Sequence, residues 1–109
     1  MDKKGQLEMN KTETIARRIF GWSLNRWDRW FDYENARFID QADFQPEHNL
    51  DHAMLVVEKL QEFGITYTKK GENEACFNDF CANGNTLAEA ITNAAFLIAD
   101  GSGIDDGWL

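Results

Sequence analysis

Residues with reactive side chains are sparse, and their spacing is the first thing to weigh. His48 and His52 stand four apart, with Asp43, Glu47 and Asp51 close in sequence. That spacing can put two imidazoles on one helical face as metal ligands. No glutamate completes a hydrolytic HExxH pattern, and His48 precedes the expected helix start, so capping and surface roles fit the pair better. Cys76 and Cys81 lack the C-x-x-C spacing of zinc or redox motifs, and Cys76 falls in an expected strand, where a buried free thiol is common. Residues 83–85 (Asn-Gly-Asn) and 101–103 (Gly-Ser-Gly) are glycine-containing loops without a nucleotide-binding fingerprint. Carboxylates abound, but acid/base catalysis needs groups pushed to different pKa values inside a cleft. These patterns predict no enzyme, no metal centre and no cofactor.

The aromatic and basic residues between Trp22 and Phe44 offer a different chemistry. Arg26, Trp27, Arg29 and Trp30 have the composition of an interface hot spot or a base-stacking platform. The bland alternative is that these rings fold over the edge of a core, each burying a large area.

Charge narrows the partner classes. The 109 residues carry 19 acids and 11 bases, a formal net charge of −8. Eight of the bases lie within residues 1–37, whereas residues 38–58 hold five acids and no Lys or Arg, and residues 71–109 hold seven acids and again none. Phosphate-backbone affinity comes from clustered Lys and Arg, so direct nucleic-acid binding is not expected. An acidic face can instead steer toward a basic protein, including one that handles nucleic acid, or simply confer solubility. No apolar run approaches the roughly 20 residues needed to span a bilayer. With no apolar leader-like segment either, the expectation is a cytoplasmic protein with reduced thiols.

The elements that must position these residues are legible from caps and periodicity. A polar stretch, residues 1–9, predicts a flexible N-terminus, residues 10–100 a single domain, and residues 101–109 a Gly/Asp-rich tail. Asn10 with Glu13 predicts a capped helix over about 11–20. Asn49 and Gly64 bound a second helix over about 50–63, around which the chain is expected to be organised. Its apolar stripe reads Leu50, Ala53, Met54, Val56, Val57, Leu60 and Phe63. Alternation predicts a hairpin over about 65–80, turning at residues 71–73, and a further short strand is compatible with 36–40. Residues 82–85 read as a loop, and Thr86 with Glu89 caps a last helix over about 86–99. The simplest burial scheme packs two or three helices against a small antiparallel sheet, an α+β domain.

Several segments in this order resemble a known family. Ala16-Arg-Arg-Ile-Phe-Gly-Trp22 is similar to its opening helix, and Phe44-Gln-Pro46 through Asn49-Leu-Asp-His-Ala53 and Val56-Val-Glu-Lys-Leu60 to its proline-containing helix entry. The strands over 65–80 and the alanine-rich helix, with Ala90 and the Ala94-Ala95 pair, complete the likeness. The family is the small phage and prophage ABA sandwich domain, which carries no established general activity. The resemblance spans about residues 12–100, and residues 27–43 depart from it. Its motifs are core and cap residues, so it speaks to scaffold more than function.

Together these readings predict a non-enzymatic phage-derived protein that binds a bacterial host protein with a basic surface. The favoured role is inhibition of a defence system that handles nucleic acid, of the anti-CRISPR or other anti-defence kind. Asp40, Asp43, Glu47 and Asp51 are the acids expected to meet the partner, with Trp27 and Trp30 as anchors. One alternative is a sponge for a nucleotide signal, stacking a base on the aromatic segment and meeting phosphate with Arg26, Arg29 or Arg37. Another is an accessory or structural homo-oligomer joined through the aromatic segment and Trp108.

Overall fold

The computed structural model describes residues 10–102. In chain order the elements are α1 (Lys11–Arg18), β1 (Ser23–Leu24), β2 (Arg29–Asp32), β3 (Arg37–Asp40), a short 3-10 helix (Gln41–Asp43) and α2 (Leu50–Glu62). There follow β4 (Tyr67–Lys69), β5 (Glu74–Phe77), β6 (Phe80–Asn83), α3 (Leu87–Leu97) and a π-helical turn (Ile98–Ser102). The class is α+β, as expected, but with two antiparallel three-stranded sheets instead of one. Sheet A is ordered β1-β2-β3 and sheet B β4-β5-β6. The strand anticipated near 36–40 is β3, and it belongs to sheet A instead of extending the hairpin. The readings for residues 1–9, and for Trp108 in the tail, lie outside the described residues.

Local chemistry sets the helix ends. Asn10 Oδ1 accepts the Glu13 N–H at 2.8 Å, Asn49 Oδ1 the His52 N–H at 3.2 Å, and Thr86 Oγ1 the Glu89 N–H at 3.1 Å. The Glu89 carboxylate reaches back to the N–H of Asn85, the residue before the cap, in a variant of the capping box. Gly64, at φ +87°, takes the left-handed conformation that ends α2.

The packing centre is α3 and not α2. It contacts β5 and β6 on one side and α1 and α2 on the other. Ala90, Ala94 and Ala95 are fully buried, small enough to admit neighbours on both sides, and Ile91 fills the space between them. On α2 the buried face is Ala53, Val56, Val57 and Leu60. Leu50, Met54 and Phe63, read as part of that stripe, are exposed, as is Leu55. Seven apolar positions make too wide an arc for one contact, and the buried sector is that of Ala53, Val56, Val57 and Leu60, on the helix that packs against α3.

Sheet B corrects two further expectations. Residues 74–80 are not one returning strand. Asn78, at φ +55°, and Asp79 make a two-residue turn, so residues 80–83 return as β6 where a loop was expected. This turn sets Cys76 directly opposite Cys81, and the two are joined in a disulfide instead of being free thiols. Closing a loop with a sequence separation of 5 stabilises by about 2 kcal/mol in the chain-entropy account. Reduction is therefore expected to lower the urea-derived stability by about that amount, measured with and without reductant; equal midpoints would show the bond to be energetically idle.

Candidate functional site

Alternation along β2 sorts the aromatic segment into two faces. Trp30 and Asp32 point inward and are buried, whereas Arg29 and Phe31 point outward. Inside, Trp30 meets Trp22 at a ring separation of 6.5 Å, and Trp22 packs on Phe20 at 4.6 Å and Phe44 at 5.0 Å. These rings fasten sheet A to the core. Trp30 has no solvent exposure, and its indole N–H has no hydrogen-bond partner. It is therefore not a surface anchor, a correction to the expectation: as the inward residue of a central strand, it is committed to the core.

Outside, the register sets Phe31 opposite Phe38 and Arg29 opposite Asp40. The Phe31 ring lies 5.0 Å from Phe38 and 4.8 Å from Tyr33, whose hydroxyl is 2.9 Å from Ser23 Oγ. Tyr33 is 62% exposed and Phe38 57%. The result is a three-ring aromatic cluster on the open face of sheet A. β3 is an edge strand of that sheet, offering backbone groups beside the rings.

The β1–β2 turn carries Trp27, which is 68% exposed. Asn25 Oδ1 accepts the N–H groups of Trp27 and Arg29 at 2.9 and 3.1 Å, fixing the turn, and Arg26 lies over the indole at 5.2 Å. At the far end of sheet A, Asp32 Oδ1 accepts the N–H groups of Glu34 and Asn35 at 3.1 and 3.2 Å. Its Oδ2 accepts from Asn35 Nδ2 at 2.8 Å and lies 3.5 Å from Arg37 Nε. Lys59 of α2 ties this turn to the body, 2.7 Å from Glu34 and 3.2 Å from Glu62. The hydrogen bond to Glu34, outweighing partial burial, raises the Lys59 pKa.

Burial is the largest single influence on Asp32 and opposes its charge. The hydrogen bonds from Asn35 and Glu34, with the Arg37 guanidinium, together outweigh it and hold the carboxyl below its ordinary 3.8. A folded-state pKa below the unfolded one gives stability that is complete above the unfolded value and is lost as pH falls through the folded value. Urea midpoints followed from about pH 6 down to about pH 2 are expected to fall less steeply for Asp32→Asn than for the parent chain. Parallel curves would remove Asp32 from the acid response.

The other sequence-derived residues are only partly brought together. Asp40 lies on the aromatic face, two residues from Phe38, and Asp43 is exposed in the 3-10 helix that follows. Asp51 is exposed in the first turn of α2. Glu47 is half-buried, 3.8 Å from Lys11, and faces a separate open cavity of about 430 Å³ against His48, Leu50 and the start of α3. His52 Nδ1 accepts the Gln45 N–H at 3.0 Å and its ring stacks on Phe44, so it serves the helix entry. Arg37 pairs with Asp32 at the opposite end of β2 from Trp27, whereas Arg26 and Arg29 share the turn that carries the Trp27 ring.

A sequence model for the phage ABA sandwich domain matches residues 13–96. The chain belongs to the phage ABA sandwich domain family. No curated protein and no solved structure matches it. In this ABA sandwich chain the matched span takes in both sheets, the whole of α2 and all but the outer ends of α1 and α3, so sheet A lies within the family's span. No helix among the described residues is long and apolar enough to cross a membrane.

Tyr33 and Phe38, the two most exposed rings of the cluster, were not singled out from sequence. The signal was the period-2 alternation of residues 29–33, hidden because aromatic residues occupy both faces.

Proposed function

We propose that this ABA sandwich protein is a non-enzymatic binding module that docks a bacterial host protein against the outer face of sheet A. The observation that carries the reading is the cluster of Phe31, Tyr33 and Phe38, open to solvent on a sheet fastened from beneath by buried Trp30. Exposed rings clustered with one another are suited to burial under a partner, where aromatic residues dominate binding energy. Trp27 extends the apolar area at one end, and the edge strand β3 adds main-chain groups able to pair with a partner strand.

The net charge of −8 and the exposed Asp40, Asp43 and Asp51 favour a partner with a basic surface. In a phage protein that chemistry suits a host defence component that handles nucleic acid, inhibited by occlusion in the host cytoplasm. Charge reversal at Asp40, Asp43, Glu47 and Asp51 is expected to slow association and abolish its salt dependence, read by biolayer interferometry on the captured partner. Unchanged binding would remove the electrostatic half of this reading. The homo-oligomer alternative draws on the same exposed rings, and light scattering at two concentrations separates it, since a strict monomer counts against self-association.

A further inference from the structure

The β5–β6 hairpin gathers three potential metal ligands away from the aromatic face. Cys76 and Cys81 are opposed across the hairpin, and Glu74, two residues before Cys76, shares its side of the strand. The donor atoms of Glu74, Cys76 and Cys81 all lie within 4.8 Å of one another. The alternate residues Ala75 and Phe77 are buried in the core, so these three occupy the outer side of sheet B. Cys81 is exposed, which gives a small thiol access to the disulfide, whereas Cys76 is only 2% exposed.

We propose that reduction of the Cys76–Cys81 disulfide converts this hairpin into a binding site for a thiophilic divalent cation of the zinc type. The protein ligands are the two Sγ atoms and the Glu74 carboxylate, with water in the fourth position. Two thiolates on one tetrahedral zinc, each at about 2.3 Å, stand roughly 3.8 Å apart. The Cα atoms of Cys76 and Cys81 stand 4.0 Å apart, so the two Sγ atoms can reach that separation by side-chain rotation. The tight turn at Asn78–Asp79 holds the strands in place, so binding orders no loop.

Two equivalents of a small thiol reduce the disulfide, yielding two protein thiols and one small-molecule disulfide. Zn²⁺ then displaces one proton from each Sγ, while the Glu74 carboxylate contributes an oxygen ligand. Soft thiolates select zinc-type ions over magnesium or calcium. The site is thus closed by oxidation and opened by a reducing environment, independently of the partner-binding face.

The test uses the full chain, reduced, freed of reductant under anaerobic conditions and titrated with Zn²⁺ against a chromophoric chelator. One equivalent is expected to bind with micromolar or tighter affinity and release two protons, while the disulfide form binds none. Cys81→Ser is expected to weaken binding at least roughly tenfold, and Glu74→Gln by about tenfold with both thiols retained. A reduced chain with native circular dichroism that takes up no Zn²⁺ overturns the proposal. So does equal binding by Cys81→Ser or Glu74→Gln, or loss of the native fold on reduction, since no preformed site then exists.

Discussion

Replacing Trp30 by alanine is expected to cost about 3–5 kcal/mol, enough to unfold a large fraction of the chain. The residue is fully buried, spans the space between sheet A and Trp22, and sits beneath the guanidinium of Arg17 at 5.4 Å from the ring centroid. Its removal leaves a cavity that the surrounding rings cannot all collapse into. For a domain of this size, the melting temperature should fall on the order of 15 °C or more. Trp30→Phe separates packing from polarity, because it keeps an aromatic ring and deletes a buried N–H that has no partner. Its cost should be much smaller, within about 1.5 kcal/mol. Trp27→Ala, three residues away and 68% exposed, should change stability by no more than about 0.5 kcal/mol. Thermal melts of the three variants check this order. Equal losses for Trp27→Ala and Trp30→Ala would contradict the assignment of inner and outer faces.

The second large effect falls on binding. Tyr33→Ala with Phe38→Ala should leave the melting temperature nearly unchanged, because both rings are more than half exposed. The affinity for a partner docked on sheet A should nevertheless fall by about 2 kcal/mol or more, roughly 30-fold. The effect divides the protein into a scaffold that tolerates these changes and a face that does not. Leu50→Ala with Met54→Ala is the matched control, since it removes exposed apolar area on α2 away from that face. It should leave the affinity within about threefold of the parent.

Residues whose structural role is local were legible in the sequence. Asn10, Asn49 and Thr86 cap helices through bonds reaching three residues along the chain, and Gly64 stops α2 through its own backbone, so the three helices were placed within a few residues. Residues whose role is set by register were not. The turn at Asn78–Asp79 contains no glycine, so β6 was read as the end of a strand and a loop. The opposition of Cys76 and Cys81 depends on that turn, which is why a spacing matching no cysteine motif yields a disulfide. In β2, aromatic residues on both faces masked the alternation that sends Trp30 inward and Phe31 outward. Sequence could therefore name the aromatic segment as the place to look, but not which rings reach solvent. The acids from Asp40 to Asp51 looked like one surface because they are consecutive in the chain. In three dimensions Glu47 turns toward Lys11 and the start of α3, while Asp40 alone lies on the aromatic face.

Affinity capture from host lysate, comparing the parent chain with the folded Tyr33→Ala/Phe38→Ala and Leu50→Ala/Met54→Ala chains under identical salt, tests the central claim most directly. The expected result is a protein retained by the parent and by the α2 variant and lost from the sheet A variant. Equal retention by all three would contradict the claim that the outer face of sheet A is the binding surface.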